Sequence, residues 1–189
     1  MKVIFLDIDG VLNTEPQMMK LYKQWEDGKI TRQEYFRLHD APFEGTLLPL
    51  KKIIDTTGAK IVLSSTWRSS PDRIAQLNKC FGELGFNVYD VTCKGVNHNR
   101  LKMCGFRPSN CYDNEWEGVQ AIKTYDRGAE IANYLFEHPE VESFVIIDDD
   151  SMDIIPYYPD RLVQTDFYST GLDEKHADMA IAILNKKFR

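Results

Sequence analysis

Residues 3–13 have the sequence VIFLDIDGVLN, which predicts a buried β-strand that ends in a turn. Four apolar residues run into two acids and a glycine, and β-branched or aromatic residues followed by glycine are typical of such a strand. The unbroken apolar run favours burial on both faces, as in a parallel sheet. Because side chains alternate along a strand, we expect Asp7 and Asp9 to point the same way.

The two acids at the end of this strand indicate a polar site. Ligands of parallel sheets bind beyond the carboxyl ends of the strands. Two carboxylates that lie close together repel each other unless a cation or a proton neutralises them. A metal site and a simple acidic turn both explain Asp7 and Asp9, because aspartate and glycine are also common turn residues.

The composition is typical of one globular domain. The chain has 189 residues, of which 43% are hydrophobic and 28% are charged. Its formal net charge of -6 argues against a general nucleic-acid binder. No apolar run approaches the ~20 residues of a membrane span, and the start of the chain lacks a signal-peptide pattern. We therefore expect a cytoplasmic protein whose four cysteines stay reduced.

Helix and strand patterns alternate along the chain, which predicts an α/β fold with a mostly parallel sheet. The predicted helices cover residues 17–25, 31–38, 47–57, 70–85, 126–138 and 173–188. The predicted later strands cover residues 60–63, 86–91, 144–147 and 161–165. Residues 14–45 and 92–126 interrupt the alternation. We expect a single domain, 1–189, with a short cap-like insert at about 14–45 and a second insert at about 92–126.

Polar residues collect where the predicted strands end and where one predicted helix begins. They are Asp7 and Asp9, Ser64 and Ser65, the three aspartates at 148–150, and Lys123 or Arg127 at the helix. In a parallel sheet these ends meet at one edge. Oxygen-only ligands suit Mg²⁺, while a hydroxyl beside a cation suits a phosphoryl group.

In this order, the motifs resemble those of the haloacid dehalogenase (HAD) superfamily of phosphohydrolases. The four matching motifs are Asp7-Ile8-Asp9-Gly10, then Ser64, then Arg127 or Lys123, and then Asp148-Asp149 with Asp153. The stretches LSSTWR at 63–68, RGAEI at 127–131 and IDDD at 147–150 look most like the HAD domain of Swiss army knife RNA-repair proteins. The likeness spans the chain except 14–45 and 93–125, and it implies a Rossmann-like three-layer α/β/α sandwich.

The resemblance implies a Mg²⁺-dependent phosphatase that works through an aspartyl-phosphate intermediate. Asp7 would attack phosphorus, and Asp9 would protonate the leaving oxygen and then activate water. Ser64 and Arg127 would bind the phosphoryl group, with Lys123 as the alternative cation. Ser65 and Arg68 would contact the substrate.

The resemblance also implies a set of metal ligands at the same edge. The candidates are Asp7, the backbone carbonyl of Asp9, Asp149, Asp148 and Asp153. Asp149 stands where the main metal-binding acid of the family stands, and Asp148 is the alternative. Asp153 would support the site or a metal-bound water, and Asp150 is explained by a helix cap or a solvated turn.

Several substrates and further sites stay open at this point. The expected function is a phosphatase that acts on a phosphorylated nucleic-acid end or a nucleotide. One alternative is a phosphatase for small metabolites such as sugar phosphates. The other is a catalytically silent phosphate- or metal-binding module. No membrane and no obligate protein partner is inferred. Trp67 and Arg68 either pack and form a salt bridge or shape the substrate entrance.

The second insert carries two further possibilities. Residues 92–112 contain no acid but several basic and aromatic residues, so they either attract a polyanion or form a solvated loop. A zinc site would use Cys93, His98, Cys104 and Cys111. The absence of a close Cys-x-x-Cys pair argues against zinc.

Overall fold

The hydrophobic run that opens the chain forms the central strand of the main sheet. The computed structural model describes residues 1–39, 41–106 and 123–188. The strands are β1 (Lys2–Leu6), β2 (Lys60–Leu63), β3 (Val88–Val91), β4 (Val96–Asn97), β5 (Lys123–Thr124), β6 (Ser143–Asp148) and β7 (Leu162–Gln164). The α-helices are α1 (Glu15–Glu26), α2 (Arg32–His39), α3 (Glu44–Thr57), α4 (Pro71–Gly82), α5 (His98–Met103), α6 (Arg127–Glu137) and α7 (Glu174–Leu184), and 3₁₀ turns occupy Thr66–Ser69 and Pro159–Arg161.

Five of these strands form a parallel sheet in the order β3-β2-β1-β6-β7. The backbone N–H of Asp7 continues the pairing by donating to Ile147, and that of Ser64 donates to Leu6. The residues that follow β1, β2 and β6 therefore lie together at the carboxyl edge. Strands β4 and β5 form a separate antiparallel pair. The mostly parallel sheet predicted from the sequence is confirmed.

Both faces of β1 are covered, which explains its unbroken apolar character. Ile4 and Leu6 pack in a core with α3, α4 and α7, whereas Val3 and Phe5 pack on the opposite face against α6. All four side chains are completely buried. The arrangement is a three-layer α/β/α sandwich, as expected.

The predicted helix caps are present in two places. Thr31 and Glu34 form the reciprocal hydrogen bonds of a capping box at the start of α2. The Ser70 hydroxyl accepts a hydrogen bond from the N–H of Arg73 at the start of α4, and Pro71 occupies the first helical position. Local sequence patterns alone therefore determine where these two helices begin.

Three predicted helix boundaries were wrong by a few residues. Helix α3 begins at Glu44, before the predicted 47. Helix α4 ends at Gly82 because residues 82–86 form a tight turn in which Gly85 has a φ of 88°. Helix α7 ends at Leu184, since the chain turns there to place the Phe188 ring against Phe144 in the core on the other face of the sheet.

The two expected inserts have different structures. Residues 14–45 contain α1 and α2, whose contact is lined by the rings of Tyr22, Trp25 and Tyr35. In the second insert, Val96 and Leu101 pack against α6, and part of this insert, 107–122, lies outside the described residues. That 14–45 acts as a cap, and that the chain is one domain with two inserts, stay predictions. None of the helices in the described part of the chain has the length and apolar character needed to cross a bilayer.

The loop after β7 supports the loop after β1. The Thr165 hydroxyl donates to the carbonyl of Gly10, and the N–H of Leu172 donates to the carbonyl of Val11. Gly171 has a φ of 65°, and a Cβ added there would lie 2.5 Å from the Val11 oxygen. Only glycine therefore fits this contact.

Gly171→Ala should destabilise the protein more than Gly58→Ala. Both glycines have a positive φ of 65°, so both substitutions incur the left-handed penalty of about 1–2 kcal/mol. At Gly58 nothing lies within 4 Å of an added Cβ, whereas at Gly171 the methyl also meets backbone. Urea denaturation of both variants measures the difference, and equal losses would show that the close approach of the two loops is unimportant.

Candidate active site

Asp7 lies at the centre of the carboxyl edge. It is buried, and its Oδ1 accepts a hydrogen bond of 3.1 Å from Nη1 of Arg127. Burial raises the pKa of the Asp7 carboxyl, while the Arg127 charge and a hydrogen bond from the Ser65 hydroxyl oppose that rise. The cation and the hydroxyl favour the ionised form, but burial is the larger effect and the pKa of Asp7 stays above its usual value.

Asp149 approaches the backbone of the loop that follows Asp7. Gly10 has a φ of 79°, and a Cβ at this position would overlap the Asp149 carboxylate. The glycine in the motif after β1 is therefore required for two reasons, the left-handed backbone and the close approach of this acid. The contact joins the end of β6 to the loop after β1.

Three carboxylates form a group that can hold a metal ion. One oxygen from each of Asp7, Asp148 and Asp149 lies within 4.8 Å of the others, and it is the one such group found among residues 1–39, 41–106 and 123–188. Burial, and then the charge of Asp7, raises the pKa of Asp148 to about 8. Burial also raises the pKa of Asp149. These shifts reflect an excess of negative charge in a small, largely dry space.

Arg127 supplies the cation of this group. Its Nη1 lies 3.4 Å from Oδ2 of Asp148 as well as 3.1 Å from Asp7. Its backbone N–H donates to the Asp153 carboxylate at 2.7 Å, which anchors the first turn of α6. Lys123 is exposed on β5, where it pairs with Asn97. The structure thus brings Arg127, and not Lys123, to the acidic group.

The two serines after β2 are both buried but have different surroundings. Ser65 hydrogen bonds to Asp7 and also accepts from the N–H of Trp67. The Ser64 hydroxyl oxygen has no hydrogen-bond partner among the described residues, and the same holds for Oδ2 of Asp148. Buried polar atoms usually have partners, so these two indicate a polar group that completes the site.

Asp9 lies beside the acidic group but has a different partner. Its Oδ2 accepts a hydrogen bond of 2.9 Å from Nε1 of Trp67. Among the described residues its carboxylate does not belong to the three-carboxylate group. The sequence motif alone gave no sign of this contact, although a buried tryptophan N–H generally needs an acceptor.

Arg68 contacts Glu130 rather than the acidic group. Its guanidinium forms an ion pair with Glu130 and donates to the carbonyl of Ser65 at 2.9 Å. The other Glu130 oxygen accepts from the N–H of Gly95. This salt bridge was one of the two sequence-based interpretations of Arg68. Glu130 was missed, although an acid next to the apolar residues of the first turns of α6 could have indicated a buried partner.

Only some residues of the candidate sites in the second insert belong to the part of the chain that the structure describes. Arg100 forms an ion pair with Glu137 and packs over Phe136, while Lys102 is exposed. Arg107 and Cys111 lie outside the described residues. The described members of the possible zinc set, Cys93, His98 and Cys104, do not form a group capable of holding a metal.

Removing Arg68 should strongly destabilise the protein, because Glu130 would be left buried without its cation. The side chains of this pair are 9% and 3% exposed. We expect Arg68→Met to lower the free energy of unfolding by about 3 kcal/mol, as measured by urea denaturation. Adding Glu130→Gln should recover much of the loss, because glutamine keeps an acceptor for the N–H of Gly95.

The matched control is Arg100→Met. The Arg100–Glu137 pair is 36% and 45% exposed, so its loss should change the free energy of unfolding by less than about 1 kcal/mol. Similar effects of the two arginine substitutions, or no recovery in the double variant, would contradict a structural role for the buried pair.

Comparison with known families agrees with this geometry. A family model described as the HAD domain in Swiss Army Knife RNA repair proteins matches residues 3–177. The match begins in β1 and extends into α7, so it includes every residue of the site described above. No curated protein and no solved structure matched the chain.

Proposed function

The chain belongs to the family of HAD domains in Swiss Army Knife RNA repair proteins, and we propose that it is a Mg²⁺-dependent phosphomonoesterase. Family membership supports a hydrolase. The observation that carries the finer proposal is the contact of buried Asp7 with Arg127 beside two further carboxylates. A carboxylate held by a cation can act as a nucleophile toward an anionic substrate.

Asp7 is the proposed nucleophile. Its carboxylate oxygen would form a bond to phosphorus while the bond to the leaving oxygen breaks, which gives an aspartyl-phosphate and an alcohol. Arg127 reduces the repulsion between the two anions and, as a planar fork, can share its donors between Asp7 and a phosphoryl oxygen. The unpartnered Ser64 hydroxyl is suited to donate to another phosphoryl oxygen.

Asp9 is the proposed group for proton transfer. It would give a proton to the leaving oxygen in the first step. In the second step it would take a proton from the water that attacks phosphorus, which breaks the bond to Asp7 and releases inorganic phosphate. Asp9 is half-buried and lies outside the three-carboxylate group, so its carboxylate is available for this task.

The residues present fit Mg²⁺. Asp7, Asp148 and Asp149 offer oxygen ligands close together, and Oδ2 of Asp148 has no hydrogen-bond partner among the described residues. The ion would be held by Asp7, Asp149 and Asp148, together with the backbone carbonyl of Asp9. When bound, Mg²⁺ would offset the charge of the phosphoryl group and of the acids. Asp153 anchors α6 and would act through Arg127.

The proposed substrate is a phosphorylated nucleic-acid end or a nucleotide. The family description, which concerns RNA repair proteins, supports this class. The exposed Lys102 and the other basic residues of 92–112 are compatible with a polyanion. The expected cytoplasmic location stays a prediction.

A phosphate-release screen tests this function. The wild-type protein with Mg²⁺ is offered 3′- and 5′-phosphorylated oligonucleotides, nucleoside monophosphates and sugar phosphates. We expect turnover of the oligonucleotides or nucleotides, and a loss of at least about 1,000-fold in kcat for Asp7→Asn and Asp7→Ala. Asp150→Asn is the matched control, because this exposed acid accepts from the N–H of Met152 and lies outside the three-carboxylate group, so its loss should leave kcat nearly unchanged.

Each outcome of the screen has a clear meaning. Turnover of sugar phosphates alone would replace the nucleic-acid substrate by a small metabolite. Undiminished activity in the Asp7 variants would remove the nucleophile assignment. Binding of phosphate or Mg²⁺ without turnover of any substrate would favour a silent binding module.

Stabilisation by Mg²⁺ should increase with pH. Because burial raises the pKa of Asp148 to about 8, the metal-free folded protein binds a proton that the unfolded chain releases above about pH 4. This contribution to stability is present at low pH and is lost as the pH rises toward about 8. Mg²⁺ must displace the same proton, so it should raise the melting temperature more at about pH 9 than at about pH 6.

Thermal denaturation with and without Mg²⁺ at the two pH values measures this effect. Asp148→Asn is the control, since its amide cannot hold the proton. In this variant the metal-free protein should gain stability at about pH 9, and most of the pH dependence of the Mg²⁺ effect should disappear. An equal Mg²⁺ effect at both pH values in the wild-type protein would contradict competition between the metal and the Asp148 proton.

A further inference from the structure

We propose that Trp67 is a positioning residue that holds the Asp9 carboxylate through Oδ2 and so directs Oδ1 toward proton exchange. The proposal rests on the proposed function. The observation behind it is the hydrogen bond of 2.9 Å from Nε1 of Trp67 to Oδ2 of Asp9. The two residues are 58 positions apart and come from neighbouring strand ends, so the contact exists only in the folded protein.

The indole of Trp67 is itself firmly held. Trp67 is 2% exposed and lies in the core with α3, α4 and α7. The backbone N–H of Trp67 donates to the Ser65 hydroxyl, and the backbone carbonyl of Trp67 accepts from the N–H of Ser70. The Arg73 guanidinium lies 4.9 Å from the ring centroid. The N–H that reaches Asp9 therefore projects from a rigid support.

The chemistry of the indole decides which Asp9 oxygen reacts. An indole N–H is a donor only and has no lone pair to offer. Oδ2 of Asp9 therefore accepts from Trp67, and because a carbonyl oxygen is a better acceptor than a carboxyl hydroxyl, the contact favours a proton on Oδ1. A carboxyl without such a partner can rotate and present either oxygen, so the contact removes a rotational freedom before the reaction begins.

In the first step the Oδ1 proton passes to the leaving oxygen as its bond to phosphorus breaks and the bond from Asp7 forms. In the second step Oδ1 takes a proton from the attacking water, and phosphate leaves Asp7. The hydrogen bond from Trp67 to Oδ2 is kept through both steps. Trp67 thus acts through Asp9 and contacts neither the phosphoryl group nor the leaving group.

The dependence of the rate on the leaving group separates positioning from simple packing. An alkyl phosphate needs a proton on its leaving oxygen, whereas p-nitrophenyl phosphate releases a stable phenolate with little help from an acid. The alkyl phosphate is the phosphorylated oligonucleotide or nucleoside monophosphate that is turned over in the phosphate-release screen. We expect Trp67→Phe to lower kcat/KM by roughly 10-fold to 100-fold for this substrate, and by much less for p-nitrophenyl phosphate. The parameter kcat/KM is used because it reports the step in which the leaving group departs.

A second replacement covers the case in which Trp67→Phe does not fold. Benzothienylalanine at position 67 keeps the shape of the indole but has sulfur in place of the N–H. It should show the same selective loss. Arg73→Met is the matched control, because it removes a contact with the same ring but keeps the N–H, and it should leave the ratio of the two rates unchanged.

A readout without turnover tests the contact on its own. In the ¹⁵N-labelled protein, Asp9→Ala should shift the indole N–H resonance of Trp67, which is assigned from its absence in Trp67→Phe. An unshifted resonance overturns the contact. Equal losses on both substrates would reduce Trp67 to a packing residue and leave the phosphatase function standing, whereas a wild-type protein that cleaves neither substrate overturns the proposed function together with this inference.

Discussion

The constraint on which the site depends is the crowding of two buried carboxylates and a half-buried third one around one arginine. Asp7, Asp148 and Asp149 lie at the ends of two adjacent central strands, and Arg127 is the cation that contacts the first two. Burial, and then the charge of Asp7, raises the pKa of Asp148 to about 8. Such a group persists only because the parallel sheet beneath it is fully packed, and it needs protons or a divalent cation to balance it.

The elements around the acidic group hold one another in place. Thr165 and Gly171 support the loop after β1, and Asp153 anchors the start of α6. The pair of Arg68 and Glu130 joins the turn after β2 to α6. Each contact involves at least one element that carries a site residue, so the site residues stand on rigid supports, as a preorganised site requires.

The two acids of the first motif have different surroundings and hence different capacities. Asp7 is buried against a cation and a hydroxyl, which favour the charged form of its carboxyl. Asp9 is half-buried and takes its hydrogen bond from a neutral indole, which directs the carboxyl without adding charge. This difference in surroundings supports the different roles that we propose for two chemically identical side chains two residues apart.

The sequence by itself determined the strand ends, the parallel sheet, the caps of α2 and α4 and the family, because each depends on local pattern or on motif order. It left Arg127 and Lys123 as alternatives, since both lie near the start of the same helix, and only the chain path through β5 separated them. It also could not pair Trp67 with Asp9, or Arg68 with Glu130. Those contacts join residues about 60 positions apart, and they depend on strand order and side-chain direction, which tertiary packing decides.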